Sequence, residues 1–455
     1  MTRRTLVLAA FVGAFMFTAL PGLRAQAPET TIRAIELLSP LPDKRTEAIE
    51  WFEKRGNKDA IPALIQTLRF TTTDRRELAD AIEALAGETG PKSWNEWMLW
   101  QEKHKEIKPF KGFAAFKAAL YAKIDPFFAI FLHDGVAHEI RLEEVTWGGV
   151  VKDGIPALTN PKLVPAKEAK YLTPGELVFG VSINGDTRAY PLRILDWHEM
   201  FNDVIGGVPV SLAYCTLCGS GILFDTTVEG RDKPFVFGSS GFLYRSNKLM
   251  YDTETNSLWN QFTGRPVVGP LTGSDIELKT RPVAITSWSA WLKANPDTKV
   301  LSLETGFTRD YSPGAPYGQY FSSDKLMFPA LVDETKLKAK DYVFALRNSG
   351  TEKAWPLKLF EQNPVINDTA GAVSLTLIGN PKTRTVRAYR TDGQAFKQAD
   401  NRSKVTLDGK AWKVTEDALI GPDGKRLHRL PGHIAFWFAW SGYLGDEGEV
   451  AQATN

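Results

Sequence analysis

The segment VFGVSINGDTRAYPLRILDWHEMFND, residues 178–203, aligns without a gap on VFALRNSGTEKAWPLKLFEQNPVIND, residues 343–368. Val178-Phe179 meets Val343-Phe344, Ala189-Tyr190-Pro191-Leu192 meets Ala354-Trp355-Pro356-Leu357, and Asn202-Asp203 meets Asn367-Asp368, all at an offset of 165. Further on, PVAITSWSAW (282–291) matches PGHIAFWFAW (431–440) at an offset of 149, with Pro, Ile and both Trp in register. Two ungapped matches in the same order mark a duplication. The chain must fold as two related units, roughly 140–310 and 335–448, joined by a linker over 311–334.

Both units read as β-rich. Runs such as ELVFGVSINGDTRAYPL, VPVSLAYC, GILFDTTVEG and FVFGSS alternate β-branched and aromatic residues between turn signals, among them Asn184-Gly185 and Asp392-Gly393. Residues 30–105 have a different texture. KRTEAIEWFEKRG places Ala48, Ile49, Trp51 and Phe52 at helical spacing and stops at Gly56; NKDAIPALIQTLRF then starts from a capping Asn57. Helix pairs of this size resemble HEAT repeats, whose apolar faces need a neighbour to stack on. The expected fold class is α+β: a small helical module, serving as packing support or as a docking surface for a protein partner, before a duplicated β-rich body.

The first residues, MTRRTLVLAAFVGAFMFTALPGLRAQA, combine Arg3 and Arg4 with an apolar run and small residues at its end. That pattern predicts a signal peptide over 1–25, exported by the general secretory or the twin-arginine route, and a periplasmic or secreted protein. No later apolar run is long enough to span a bilayer. With 55 basic and 53 acidic side chains the net charge is +2, which gives no electrostatic case for nucleic acid. P-loop, G-x-S-x-G and H-E-x-x-H motifs are absent from the sequence. No nucleotide cofactor and no serine-hydrolase triad are expected.

The duplication acts as an internal control, because what both units share serves the fold and what one unit holds alone is a candidate for function. His198 and Glu199 become Asn363 and Pro364, and Cys215 and Cys218 fall opposite Asn380 and Thr383. Cys215 and Cys218 are also the chain's only two cysteines. Two thiolates and an imidazole suit a soft or borderline metal, and Met250 in NKLMYD adds a thioether; that donor set favours copper over zinc. The expected site therefore joins His198, Cys215, Cys218 and Met250. Glu199 is a candidate base or ligand-orienting group, and Asp252, with Tyr251, Arg245 and Asn247, a candidate pocket residue. His133, His138, His428 and His433 have no partner spacing.

A C-x-x-C pair in an exported chain has a second reading, as a thiol–disulfide couple. A third reading is a non-enzymatic module holding a protein or a glycan. Whether the chain is an enzyme, and on what small molecule, is left open by its residues.

The blocks AYPLRILDWHEMFNDVIGGVPVSLAYCTLCGSGILFD, GSSGFLYRSNKLMYDTETNSLWNQFTGRPVVGPLTG and TGFTRDYSPGAPYGQY resemble the family called domain of unknown function 3179. The resemblance covers about 170–445 and departs little from the family's pattern, although Thr216 stands where Pro is expected. It implies that His198, Cys215, Cys218 and Met250 belong to one set, and it implies no substrate. The helical module lies outside it.

Overall fold

The computed structural model describes residues 28–348, 351–399, 403–444 and 449–451, so the signal peptide read over 1–25 lies outside the described residues. The fold is α+β. Helices Glu29–Glu36, Pro42–Arg55, Ile61–Phe70, Arg75–Ala86 and Trp94–Lys103 form an array that continues to Phe113–Ala122. Gly56 ends its helix in the left-handed region at φ 67°, where a side chain would be strained. Ser93 and Glu96 close a reciprocal capping box at the start of the Trp94–Lys103 helix.

The apolar face of this array is covered by the β-rich body. Phe116, Leu120, Tyr121 and Phe128 share one core with Phe242, Leu249, Tyr251 and Val268 of the strands. The fully buried Lys117 donates to the carbonyls of Leu142 and Val145, which gives its ammonium partners where water is excluded. Arg245 of the body pairs with the buried Glu144 at 2.6 Å, and Arg141 pairs with Glu143 and Glu144. Module and body are thus fused by a core and by the hydrogen bonds of Lys117 and of Arg141, whose guanidinium also donates to the carbonyls of Gln101 and His104.

The body runs twice through one topology. In the first unit Ala284–Ser287 pairs antiparallel with Leu177–Ile183, which pairs with Asp186–Pro191, which lies parallel to Lys299–Leu301. In the second unit His433–Phe436, Tyr342–Asn348, Thr351–Pro356 and Glu449–Val450 follow the same order and sense. Register is kept as well: Phe179 faces Ile285 as Phe344 faces Ile434. Each unit then adds a meander, Met200–Ile205 to Val208–Cys215 to Ser220–Asp225, and Val365–Ala370 to Val373–Asn380 to Thr385–Arg390.

The shared Asn-Asp pair is explained by hydrogen bonds that repeat with it. Asn202 accepts from Phe237 N and donates to Phe237 O, both at 2.9 Å; Asn367 does the same with Phe396 at 2.8 Å. Asp203 accepts from Tyr190 Oη and Arg188, and Asp368 accepts from Trp355 Nε1 and Lys353. Each carboxylate ties a meander to the neighbouring sheet. The units do not fold apart, since Phe179, Tyr190 and Phe201 share a core with Phe344, Trp355 and Leu377.

Gly180 shows how closely the first unit is packed. A Cβ at this position would overlap the ring of Trp291, itself fully buried and held by Thr298 through its Nε1. Gly180→Ala is expected to cost about 1–3 kcal/mol by overpacking, read as a lower urea midpoint with an unchanged slope.

Candidate functional site

The strand Val208–Cys215 delivers Tyr214 and Cys215 to the junction of the two units. The chain turns through Thr216–Gly219 and returns along Ser220–Asp225, so that Cys215 faces Ser220. Cys215 and Cys218 are joined as a disulfide across this turn. Both are buried, Cys215 at 3% exposure and Cys218 at 0%. Cys218 Sγ lies 3.6 Å from the Ser246 carbonyl oxygen, an acceptor for the thiol proton once the bond is reduced.

Gly219 follows for a steric reason. Its φ is +61°, and a Cβ would press on Phe436 and Tyr342 at 3.1 Å. The second unit approaches here, and Phe436 N donates to the Cys218 carbonyl at 2.8 Å. Tyr342 also lies under Arg384, whose guanidinium carbon is 4.4 Å from the ring centroid. The unit without cysteines therefore supplies part of the wall around them.

Charged groups gather against the turn. Glu199 accepts from Thr216 Oγ1 at 3.1 Å and from Lys248 Nζ at 2.6 Å. Lys248 is buried and also donates to Ser239 Oγ at 2.5 Å. Glu199 holds a left-handed backbone, φ 55°, which Pro364 at the equivalent place in the second unit could not adopt. Asp196 is buried and accepts from Tyr214 Oη at 3.1 Å. Burial pushes the Asp196 carboxyl up to about 7; the Tyr214 hydrogen bond opposes the rise and the Glu199 charge adds to it, while Arg384 pulls it down.

The sign of this shift gives a test. In the unfolded chain an Asp titrates near ~3.9, so between about 4 and 7 the folded protein binds the extra proton. The stability contributed by Asp196 is full below the lower value and is lost as pH rises through the upper one. Asp196→Asn should flatten this fall, read from urea midpoints at acid and at mildly alkaline pH; an unchanged slope would count against the assignment.

The other expected site residues are distributed as follows. Met250 is fully buried in the same apolar cluster as both cysteines, with Met200 and Trp259. His198 is buried, but Nδ1 lies 2.8 Å from the Pro156 carbonyl and Nε2 2.6 Å from Tyr311 Oη, so both ring nitrogens are engaged away from the sulfurs. Burial lowers its pKa, which keeps the ring neutral, donating to Pro156 and accepting from Tyr311. Asp252 is fully buried and accepts from the backbone of Glu254, Thr255 and Ser257, from Thr255 Oγ1 and from Trp259 Nε1. It anchors a turn, and its oxygens are saturated. Among the described residues no group of three or more His, Cys, Asp and Glu is arranged to hold a metal ion. In this state the four expected ligands are not a ready coordination set.

The linker between the units closes over the turn. Tyr320 Oη donates to the Leu217 carbonyl at 2.7 Å, and Tyr317 reaches Thr216. Lys340 donates to the carbonyls of Tyr320 and Ser323, and Trp197 Nε1 donates to Asp310 O, all three at 2.5 Å. His198 thus holds the covering segment through Tyr311. Asp196, Lys248, Tyr317 and Arg384 were not legible as site residues. Asp196 keeps an acid, Glu361, in the second unit, and Arg384 belongs to the unit without the cysteines, so comparing the copies could not mark them.

Among the described residues no helix is long and apolar enough to cross a membrane. No curated protein and no solved structure matches the chain. Residues 152–447, well over half of the chain, match the family described as protein of unknown function (DUF3179), and the chain belongs to that family.

Proposed function

We propose that this is an exported dithiol–disulfide redox protein whose working pair is Cys215 and Cys218. The observation that carries the reading is the company the disulfide keeps: a largely buried Glu199–Lys248 pair touching its turn, and Asp196, whose carboxyl burial pushes up to about 7, held by Tyr214 next to Cys215 in the chain. A disulfide across so short a loop gives only about 2 kcal/mol as a staple, and buried charges cost stability unless they serve something else. Ionisable groups next to a sulfur pair suit a reaction in which two protons accompany two electrons.

The step balances with a dithiol as co-reactant. A thiolate of the co-reactant attacks Cys215 Sγ, the Cys215–Cys218 bond breaks, and Cys218 leaves as a thiolate that takes up a proton beside the Ser246 carbonyl. The second thiol of the co-reactant then attacks its own sulfur in the mixed disulfide. Cys215 is released and protonated, and the co-reactant departs as a disulfide. The reverse sequence reduces a disulfide of the co-reactant and recloses the Cys215–Cys218 bond. The covering segment around Tyr317 and Tyr320 must yield for the first attack.

A second reading is supported by Met250, buried in the same cluster as both sulfurs. Reduction would free two thiolates beside a thioether, a donor set that suits copper(I) better than zinc; His198 could join only by leaving Pro156 and Tyr311. One experiment separates the two readings. The purified chain is equilibrated with glutathione mixtures, its thiols are counted by alkylation and mass, and its metal content is measured in the reduced form. A reversible two-electron equilibrium without bound metal supports the redox reading. Stoichiometric copper in the reduced protein that vanishes in Cys215→Ser supports the metal reading, and a pair that stays closed in every mixture sinks both.

A further inference from the structure

Among the described residues the duplication leaves one edge covered in the first unit and bare in the second. In the first unit Leu158–Thr159 pairs in parallel with Phe201 and Asn202, Asn160 N donates to Asn202 O at 2.8 Å, and Leu163–Pro165 pairs with Lys299–Leu301. Under that cover Met200, Phe201 and Asn202 are all buried. Their counterparts Val365 and Ile366 are only half-buried, and Asn367 is exposed. Among the described residues the strands Val365–Ala370 and Glu449–Val450 are outermost in their sheets. Between them lies a groove of about 930 Å³ lined by Trp355, Lys358, Ile366, Asn367, Asp368 and Glu449.

The cover is missing because its counterpart is used elsewhere. The two chain paths agree near 174–176 and 339–341, where Ser289 N donates to Pro174 O as Phe438 N does to Ala339 O, and Trp288 N to Glu176 O as Trp437 N does to Asp341 O. Upstream they part. Residues 158–165 lie along the first unit's edges, whereas in the equivalent stretch, 323–330, Pro329 O receives Ser246 Oγ, and just past it Leu331 N donates to Glu102. The segment that would close the second groove instead lies beside the disulfide and the helical module.

We propose that this groove docks an extended peptide of a partner protein, added as a strand along Val365–Ala370 as Leu158–Asn160 is added to the first unit. An exposed edge offers unpaired backbone groups, and strand addition is a recurring way to use them. The chemistry of the occupant follows from the covering segment Ala157-Leu158-Thr159-Asn160-Pro161-Lys162: an apolar residue that sinks toward Ile366 and Trp355, then small polar residues, then a base. Lys353 and Lys358 against Glu361, Asp368 and Glu449 leave the lining one charge negative, which favours that base.

The probe is a labelled peptide of residues 155–165, IPALTNPKLVP, titrated against the full chain by fluorescence anisotropy. The tethered copy already fills the first groove, so saturable binding of one peptide per chain is expected. Changing its Leu158 to Ser, or Ile366→Asp in a protein whose thermal unfolding is unchanged, should weaken binding by about tenfold or more. A photo-reactive version should cross-link within residues 353–368, a readout that does not depend on any variant folding. Absence of saturation, cross-links elsewhere, or binding indifferent to both changes would overturn the proposal. A dimer of the chain that Ile366→Asp dissolves would overturn it too, by assigning the groove to a second copy.

Discussion

Cys218→Ser should trap a disulfide-bearing co-reactant on Cys215 as a mixed disulfide, the Cys215 thiolate breaking the co-reactant's own S–S bond and its other sulfur leaving as a thiol, whereas Cys215→Ser should trap none and should abolish exchange. The asymmetry follows from burial, since Cys215 retains slight exposure while Cys218 is sealed beside Ser246 O. Once Cys218 is gone, no second sulfur of this chain can expel the co-reactant from Cys215. The stability cost of either change is expected to be about 2 kcal/mol, because a loop this short restricts the unfolded chain little. Exchange and stability therefore separate: activity falls to background while the urea midpoint moves modestly. Non-reducing gels after incubation with a disulfide-containing protein, with mass mapping of the adduct, read the trap. Equal trapping by both variants, or full exchange in Cys215→Ser, would remove the pair from the mechanism.

The second large effect belongs to the Glu199–Lys248 pair. Removing one member of a largely buried ion pair, here with the Lys248 side chain 6% and the Glu199 side chain 13% exposed, leaves the other charged and unpaired, at a cost of up to about 3–5 kcal/mol. Lys248→Met strands Glu199 with only Thr216 as a donor, and Glu199→Gln leaves the ammonium with Ser239 and a neutral amide. The double variant should recover much of the loss, so the coupling between the two positions is large and opposite in sign to the single costs. Chemical unfolding of the four proteins closes the cycle. Additive losses would mean that the two side chains act independently. Because Glu199 touches Thr216, thiol exchange should also slow in each single variant, and it should not return in the double variant even where stability does.

Much of the fold was legible without coordinates because duplication repeats a hydrophobic pattern and its turns. Val178-Phe179 and Val343-Phe344 occupy equivalent strands, and the glycine at Gly56 ends its helix as expected. The helical array nevertheless runs on to Ala122, past 105, through FAAFKAALYA. Its Lys117 looks like a solvent-facing residue until the carbonyls of Leu142 and Val145 are placed over it. The need for a glycine after Cys218 shows only in three dimensions, where Phe436 and Tyr342 approach it. Asp252 looked like a pocket acid and anchors a turn, because a fully buried carboxylate with five donors has none of its oxygen left over.

By itself the sequence determined that there are two related units, that one alone carries the cysteines, and that His198 and Glu199 differ along with them. Those are properties of residue identity and spacing, which survive in a string of letters. Only the tertiary structure decided that Cys215 and Cys218 face one another as a disulfide, that His198 turns to Pro156 and Tyr311, and that Lys248, Asp196 and Arg384 come to the turn. These contacts join elements far apart in sequence, and their energies depend on burial and distance. A carboxylate or an ammonium ion takes its chemical character from what is packed around it.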